Sequence, residues 1–284
     1  MSDLQFGAIG YGCWRFATNS VSEADRLIRT ALDCGMTLID TADIYGLDAP
    51  RGFGGAEAVL GEVLAASPEL RGQMTLTTKG GIIPPRPYNS SHDYLMGALE
   101  NSLRRLQIEH IDLYQIHRPD LTTPMAALAE TLHAMLDSGK IGAVGVSNFT
   151  VSQMRSLSAH LDVPLATLQP EFSVLEQSAL TDGVLDYAEE IGAIVLAWSP
   201  LGGGRLFSED GAVQQAVAKI ARETGYTATQ IALAFTRGFG ASVVPLIGTQ
   251  REARIEDAAG AADVTFTARQ VYDLVEAYRG TPMP

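Results

Sequence analysis

Eight short runs of apolar and β-branched residues, each followed by a longer segment with helical periodicity, are the feature that most constrains the fold of this chain. A strand that is apolar along its whole length is typical of burial on both faces. A helix between consecutive strands allows those strands to pair in parallel. The predicted strands are 6–11, 37–40, 75–79, 111–117, 143–148, 165–169, 193–199 and 242–248.

Several of the intervening helices have recognisable ends. Gly35 follows the first helical segment, where a left-handed residue is expected, and 210–224 predicts a further helix between the last two strands. Pairs three residues apart, with the spacing of a capping box, predict three helix starts. These pairs are Ser22 with Asp25, Ser90 with Asp93, and Thr267 with Gln270, the last opening a helix through Ala277.

The eight strand–helix units follow one another without a break in composition or a linker rich in Pro, Gly or Ser. This continuity favours one closed barrel over two doubly wound domains. We therefore expect residues 1–284 to form a single α/β domain, a (β/α)8 TIM barrel with additional helices in its C-terminal half.

Composition limits the class of protein. The chain has 284 residues, 46% of them hydrophobic, and a net charge of -13 from 33 acidic and 20 basic residues. The apolar content excludes a disordered chain, and the lack of a basic run argues against nucleic-acid binding. The two cysteines, Cys13 and Cys34, have neither the number of a disulfide scaffold nor metal-binding spacing.

No targeting or membrane segment is predicted. Met1 is followed by neither a basic flank nor an apolar stretch, and every apolar run is far shorter than the ~20 residues that a membrane span requires. We expect a cytoplasmic protein that does not contact a membrane.

Polar or ionisable residues follow the predicted strands, whose bodies are apolar. In a (β/α)8 barrel the carboxyl ends of the strands form the active-site face, so these residues predict one polar pocket above a packed barrel. They are Asp40 with Tyr45 after the second strand, Lys79, His117, Ser147 with Asn148, Gln169, Trp198 with Ser199, and Thr249.

The combination of an aspartate, a tyrosine, a lysine and a histidine after the strands indicates proton donation. These residues are Asp40, Tyr45, Lys79 and His117. An ordinary phenol, with a pKa of about 10, is a poor acid at neutral pH, and a nearby cation lowers that pKa. Lys79 could be this cation, with Asp40 holding it charged and in place. His117, as a neutral donor, could polarise a substrate carbonyl, so the combination fits hydride delivery to a carbonyl group.

Other interpretations of these residues exist. Asp40 and Asp43 could bind a metal ion, but residues three apart at a strand end converge poorly and no His or Cys lies near them. The same lack of clustered ligands disfavours a metal-dependent isomerase or hydrolase. Taken singly, the Asp-Thr-Ala segment is typical of a turn, Lys79 of a surface charge and His117 of a structural histidine; only their combination indicates chemistry.

Five segments that follow the predicted strands share a recognisable pattern with known proteins. They are Asp40-Thr41-Ala42-Asp43-Ile44-Tyr45-Gly46, Thr78-Lys79-Gly80, Ile116-His117-Arg118-Pro119-Asp120, Gly145-Val146-Ser147-Asn148-Phe149 and Trp198-Ser199-Pro200-Leu201-Gly202. In these segments, and in their order, the chain resembles the aldo-keto reductase superfamily, in particular a bacterial subgroup of predicted NADP-dependent oxidoreductases. The similarity extends over essentially the whole chain.

The resemblance implies a set of roles. Asp40, Tyr45, Lys79 and His117 match the catalytic tetrad, with Tyr45 as the general acid for reduction of an aldehyde or ketone. The resemblance also implies that further matched positions bind the cofactor. They contact its nicotinamide carboxamide, its nicotinamide ring (through Trp198) and its pyrophosphate, and they include the segment after the last strand. These residues are Ser147, Asn148, Gln169, Trp198, Ser199, Leu201, Gly203, Arg205, Thr249 and Arg254.

The segment after the eighth strand indicates which nicotinamide cofactor is used. Arg254 occupies the family's arginine position and Arg251 lies close by, and a guanidinium group can bind a 2′-phosphate through two hydrogen bonds. We therefore expect NADPH/NADP rather than NADH. Ala258 stands where the family commonly has an asparagine, which weakens the expected adenine contact.

The substrate and the partners are less constrained. Arg118 could bind an acidic substrate or pair with Asp120. Candidates for the pocket wall are Trp14, Ile44, Phe53, Tyr88 and Arg118. The expected partner is a small carbonyl or alcohol substrate. An alternative is a cofactor-binding regulatory or redox-sensing barrel with little turnover. The identity of the substrate, product stereochemistry and oligomeric state are left open.

Overall fold

The computed structural model describes residues 4, 6–240 and 242–284; Met1, on which the signal-peptide expectation depends, lies outside them. The strands within these residues, in chain order, are β1 Gly10–Gly12, β2 Leu38–Asp40, β3 Thr75–Gly80, β4 Ile82–Ile83, β5 Arg86–Tyr88, β6 Leu113–Ile116, β7 Val144–Ser147, β8 Thr167–Gln169, β9 Ile194–Ala197 and β10 Val243–Ile247.

Eight of these described strands form a closed parallel barrel in the order β1-β10-β9-β8-β7-β6-β3-β2. The last strand closes the barrel on the first, with Gly10 opposite Leu246 and Tyr11 opposite Ile247. The predicted parallel pairing, closure and number of barrel strands are confirmed. Each strand of the barrel overlaps its predicted range, and most are shorter, because the apolar runs extend beyond the hydrogen-bonded ladder.

The helices described by the structure surround this barrel. They are α1 Val21–Asp33, α2 Gly55–Ala66, α3 His92–Leu106, α4 Met125–Asp137, α5 Val151–Ser158, α6 Val184–Ile191, α7 Arg205–Ser208, α8 Ala212–Thr224, α9 Ala228–Arg237, α10 Glu252–Ala259 and α11 Ala268–Arg279. One helix follows each of the eight barrel strands, and α7, α8 and α11 are additional to these. The additional helices expected in the C-terminal half are therefore confirmed. No helix among the described residues is long and apolar enough to cross a membrane.

Two predicted helix starts were wrong. Helix α1 is capped by Ser20, whose side chain accepts from the backbone of Glu23, because Asp25 binds Arg29 and Ser67 instead. Helix α3 begins after Ser91 without a side-chain cap.

The other predicted ends are confirmed. Thr267 forms a capping box with Gln270 at the start of α11. Gly35 has a φ of 76° after α1, the left-handed conformation that glycine adopts without strain.

The barrel interior is layered from apolar to polar towards the carboxyl ends of its strands. Its apolar layers contain Leu38, Leu113 and Leu246, which pack against Phe6. Above them, the Gln115 side chain donates to Thr77 Oγ1 at 3.2 Å and accepts from Thr167 Oγ1 at 3.1 Å. These hydrogen bonds satisfy buried polar groups directly below the candidate site.

The hydrogen bond between Gln115 on β6 and Thr167 on β8 passes over the strand between them, β7, where Gly145 leaves space for it. A Cβ atom at position 145 would overlap Thr167 Oγ1. Gly145 is therefore required by this close approach rather than by its backbone conformation.

The antiparallel hairpin β4–β5 was not predicted. It follows β3 directly, pairs Ile82 with Tyr88 and forms a separate two-stranded sheet at the active-site end of the barrel. Its strands of two and three residues are too short to give a periodic pattern in the sequence.

Candidate active site

Asp40 and Lys79 form a buried ion pair at the ends of two neighbouring strands. Lys79 Nζ donates to Asp40 Oδ2 at 2.6 Å and to the Thr41 carbonyl oxygen at 2.7 Å. The Lys79 side chain is fully buried, and 5% of the Asp40 side chain is exposed. Because a buried ammonium group is costly unless it is paired and hydrogen-bonded, this arrangement holds Lys79 in one position.

The rings of Tyr45 and His117 lie next to this pair. Lys79 Nζ is 4.9 Å from the centroid of the Tyr45 ring. The rings of Tyr45 and His117 are 5.7 Å apart and meet edge to face at 83°. The structure therefore brings the four expected catalytic side chains together, with Tyr45 half-buried at the surface of the group.

Short backbone hydrogen bonds fix the position of Tyr45. Its N–H donates to the Ala42 carbonyl at 3.1 Å, and its own carbonyl accepts from the N–H of Ala56, in the first turn of α2, at 3.0 Å. Asp43 N–H donates to the Lys79 carbonyl at 2.9 Å, which joins the loop carrying Tyr45 to β3. Tyr45, the expected general acid, is thus attached to a strand and to a helix rather than to a free loop.

The pKa of Tyr45 differs from the expectation that Lys79 brings it below its ordinary value. Burial raises this pKa, the nearby charge of Lys79 lowers it and the charge of Asp40 raises it, so the net shift is upward. The phenol therefore carries its proton at neutral pH, as a general acid must before it donates.

The charge of Lys79 is preserved although the residue is buried. Burial acts to lower the pKa of Lys79, but Asp40 and Tyr45 outweigh burial and raise this pKa above its ordinary value. Lys79 therefore stays a cation beside the phenol.

His117 is neutral in this site. Burial and the charges of Lys79 and Arg118 hold the pKa of His117 well below its ordinary value. Its Nδ1 atom has no hydrogen-bond partner within the described part of the chain. A neutral imidazole has one donor and one acceptor nitrogen, which suits it to donate to a substrate oxygen.

Gln169 links the expected carboxamide-binding residues to the ion pair. Its Nε2 donates to Asp40 Oδ1 at 3.0 Å, and its backbone carbonyl accepts from Ser147 Oγ at 2.9 Å. Asn148 Nδ2 donates to Ser147 Oγ at 2.7 Å, and Trp198 Nε1 donates to Asn148 Oδ1 at 3.0 Å. The contact with Asp40 could not be predicted from the sequence, because no local pattern joins residues 129 positions apart.

The loop after β9 presents backbone in an unusual conformation. Ser199, Gly202, Gly203 and Gly204 have φ values of 50°, 59°, 66° and 102°. Leu201 lies within this loop, and Arg205 Nε donates to the Gly202 carbonyl at 3.1 Å. Because Gly203 has open space where a side chain would begin, its backbone is accessible to a phosphate group.

The segment after β10 carries the two arginines expected to bind a 2′-phosphate. Thr249 accepts at its carbonyl from Tyr11 Oη at 2.8 Å and at Oγ1 from Arg251 N–H at 3.3 Å. Arg251 and Arg254 are exposed, and neither forms an ion pair with another described residue. Their side chains are therefore available to an anionic group.

Two residues expected to line the substrate pocket lie near the barrel mouth. Trp14 is 54% exposed and stacks on the Arg15 guanidinium at 4.6 Å. Arg118 lies over the Trp198 ring at 5.8 Å. Asp120 accepts instead from Ser90, Thr122 and Thr123, so the structure shows no Arg118–Asp120 ion pair among its described residues.

The other three pocket candidates are dispersed. Ile44 is half-buried beside Tyr45, and Tyr88 lies on the β4–β5 hairpin. Phe53 lines a separate cavity of about 440 Å³ together with Asp43 and Arg105, and its ring is 5.9 Å from the Arg105 guanidinium. The described contacts of Phe53 are therefore with this cavity and with Arg105.

A second buried ionic cluster lies behind the site. Glu57 accepts from Thr78 Oγ1 at 2.5 Å and from Arg105 Nε at 2.7 Å. Asp43 is also buried, and burial together with the charge of Glu57 raises its pKa well above the ordinary value. No group of three or more potential metal ligands occurs among the described residues.

Known proteins are similar to this chain over nearly its whole length. The model of the Aldo/keto reductase family matches residues 8–279. A protein of Novosphingobium aromaticivorans named 6-dehydroglucose reductase is 45% identical, over 100% of this chain and 95% of its own length. Another of the same name, from Agrobacterium fabrum, is 37% identical over 95% and 94% of the two chains.

Solved structures have the same architecture. An aldo/keto reductase from Klebsiella pneumoniae in complex with NADP and acetate has a TM-score of 0.82 and 26% identity, covering 99% of this chain and 96% of that one. A thermostable aldo-keto reductase with the inhibitor epalrestat has a TM-score of 0.84 at 24% identity, with 96% of each chain covered, and shows the shared fold.

Proposed function

Since this chain belongs to the aldo/keto reductase family, we propose that it reduces an aldehyde or ketone to the alcohol with NADPH, and catalyses the reverse oxidation. The observation that carries this proposal is the position of Lys79 Nζ, 2.6 Å from Asp40 Oδ2 and 4.9 Å from the centroid of the Tyr45 ring. A fixed cation beside a protonated phenol supports proton donation to an oxygen atom that gains negative charge.

The proton transfer balances the reduction. When bound, the nicotinamide supplies the hydride that adds to the carbonyl carbon. Tyr45 donates its phenolic proton to the carbonyl oxygen, which completes the alcohol and leaves a phenolate. Lys79 stabilises this phenolate, so its charge matters most as the proton leaves. The neutral His117 donates a hydrogen bond that orients the carbonyl.

The residues present fit a nicotinamide cofactor. Gln169, Asn148 and Ser147 offer side-chain amide and hydroxyl groups at the ends of neighbouring strands, beside the flat ring of Trp198. In the loop 199–205, the exposed backbone of Gly203 is open to the pyrophosphate. These groups would bind and orient the cofactor across the barrel mouth.

Arg251 and Arg254 support NADPH over NADH. Both are exposed beside the expected adenosine end and have no described carboxylate partner, so a 2′-phosphate would supply their counter-charge. The K. pneumoniae neighbour was solved with NADP, which agrees with this preference.

The proposed substrate is a sugar aldehyde of the 6-dehydroglucose type. Two relatives that cover nearly the whole chain, at 45% and 37% identity, carry the name 6-dehydroglucose reductase. A sugar presents several hydroxyl groups and an apolar ring face. Arg118 could donate to the hydroxyls, and the exposed ring of Trp14 could stack on the sugar.

The test is turnover of 6-dehydroglucose by the wild-type protein with NADPH and with NADH, alongside a panel of simple aldehydes and ketones. We expect NADPH oxidation coupled to alcohol formation, fastest with the sugar aldehyde. Saturable quenching of tryptophan fluorescence by NADPH without turnover on any carbonyl would instead support a regulatory, cofactor-binding role.

A variant of the general acid completes this test. Tyr45→Phe removes the proton donor and is expected to lower kcat by about 10²–10⁴-fold while NADPH still quenches fluorescence. Tyr187→Phe is the matched control, because Tyr187 donates to Ser158 far from the four catalytic side chains. Wild-type turnover by Tyr45→Phe would show that another group is the acid.

A further inference from the structure

Glu57 is fully buried behind the catalytic group, and its side chain forms no hydrogen bond or ion pair with Tyr45 or Lys79 among the described residues. It lies in α2 and binds residues of two other elements. Thr78 Oγ1 on β3 donates to Glu57 Oε1 at 2.5 Å, and Arg105 on α3 lies 2.7 Å from Oε2 through both Nε and Nη2. Each carboxylate oxygen thus has its own partner.

The neighbours of these residues in the chain connect Glu57 to the catalytic pair. Thr78 precedes Lys79 on β3. Ala56 precedes Glu57 on α2 and donates its N–H to the Tyr45 carbonyl at 3.0 Å. The hydrogen bond between Thr78 and Glu57 therefore joins the strand carrying the cation to the helix turn that holds the backbone of the general acid.

Arg105 fixes the other side of the same carboxylate. Its side chain packs against Gly54, the residue before α2, where an added Cβ atom would overlap the guanidinium group. The ring of Phe53 covers it at 5.9 Å. Arg105 therefore neutralises the Glu57 carboxylate and also contacts the start of α2, the helix that carries Glu57.

We infer that Glu57 is a positioning residue for the Tyr45–Lys79 pair, acting through its hydrogen bond with Thr78. This role rests on the proposed function, because it concerns the distance between the general acid and its cation. Its physical basis is that a catalytic geometry tolerates only small displacements, and misplacement by about 1 Å can cost 10²-fold in rate.

The test removes the hydrogen bond without removing the carboxylate. Thr78→Val has nearly the same shape but no donor, whereas Thr78→Ser keeps the hydroxyl. We expect Thr78→Val to lower kcat about tenfold, with the NADPH dissociation constant unchanged within twofold. Thr78→Ser is expected to keep kcat within about twofold of wild type. If Thr78 has a purely structural role, Thr78→Val will lower the stability of the protein, but its kcat will not differ from that of Thr78→Ser.

A second pair of variants examines Glu57 itself. Glu57→Gln retains an acceptor for Thr78 and is expected to keep more of kcat than Glu57→Ala, which retains none. If Glu57→Ala does not fold, the Thr78 pair decides the question. Equal kcat for wild type, Thr78→Val and Thr78→Ser would overturn the positioning role, and so would equal losses in both Thr78 variants.

The two proposals fail in different ways. A wild-type protein that turns over no carbonyl substrate contradicts the reductase function. Wild-type turnover together with an unaffected Thr78→Val contradicts the role of Glu57 alone.

Discussion

Gln169 donates to the oxygen of the Asp40 carboxylate that Lys79 leaves free: Gln169 Nε2 lies 3.0 Å from Oδ1, and Lys79 Nζ lies 2.6 Å from Oδ2. With Nε2 committed to Asp40, the Gln169 side-chain oxygen is the atom left to accept from a cofactor carboxamide. The residue proposed to bind the carboxamide and the ion pair proposed to act in catalysis are therefore in direct contact.

Gln169→Met should weaken both NADPH binding and turnover, because it removes a donor to a buried carboxylate without creating a large cavity. A hydrogen bond to a charged group contributes about 1.5–3 kcal/mol, so we expect roughly a 10–100-fold loss in kcat/KM. NADPH titration and steady-state kinetics measure the two effects.

Gln177→Met is the control for this variant. Gln177 is also buried and donates to the Val174 and Leu274 carbonyls, away from the site. Both variants should lose stability, but only Gln169→Met should lose NADPH affinity. Equal NADPH affinity in the two variants would contradict the proposal that Gln169 binds the cofactor.

Lys79→Met should abolish reduction and also destabilise the fold. It leaves Asp40 buried without its cation, and breaking a buried ion pair in this way typically costs about 3–5 kcal/mol. Asp40→Asn combined with Lys79→Met removes both charges and should recover most of that stability while remaining inactive. Urea denaturation and kcat separate the two properties; a double variant no more stable than Lys79→Met would disagree with the ion-pair argument.

Arg254→Ala should discriminate between the two cofactors. A charge-assisted bond to the 2′-phosphate is present only with NADPH, so we expect about a tenfold or larger weakening for NADPH and little change for NADH. Arg222→Ala, at an exposed position on α8, is the control. Equal losses for both cofactors would mean that Arg254 does not bind the phosphate.

His117 should make the protein less stable in mild acid. Its pKa in the folded protein is held well below the unfolded value of about 6.5, so below that pH the unfolded chain binds a proton that the folded chain does not. The free energy of unfolding therefore falls as pH decreases below 6.5, by up to about 1.4 kcal/mol per pH unit from this group.

His117→Gln should reduce the decline in stability between pH 7 and pH 5, measured by urea denaturation. His160→Gln, at an exposed position, should leave the decline as in wild type. The same decline in all three proteins would show that other groups cause it.

The barrel was predictable because each of its units leaves a local trace. The apolar run of β10 and the capping pair Thr267 and Gln270 each identify an element within a few residues. The membership of Asp40, Tyr45, Lys79 and His117 in one site followed from their position after strands, since parallel strands end on the same face.

The energetics of the site were not predictable in the same way. Whether Lys79 brings the pKa of Tyr45 below its ordinary value depends on the sum of burial and charge, and burial outweighs Lys79 here. Contacts such as Glu57 with Arg105 join residues far apart in the chain, and no periodicity records them. The sequence also marked Phe53 as a pocket candidate without showing its contact with Arg105.

The β4–β5 hairpin has a consequence for how this scaffold can change. It pairs with itself and not with the barrel, so none of the hydrogen bonds that close the barrel depend on it. The hairpin nevertheless lies at the rim of the site. It begins two residues after Gly80, whose carbonyl accepts a hydrogen bond from the His117 N–H. A hairpin of different length or sequence could therefore be exchanged here by recombination or engineering, which would reshape the rim of the site while the barrel and the Asp40–Lys79 ion pair are inherited intact.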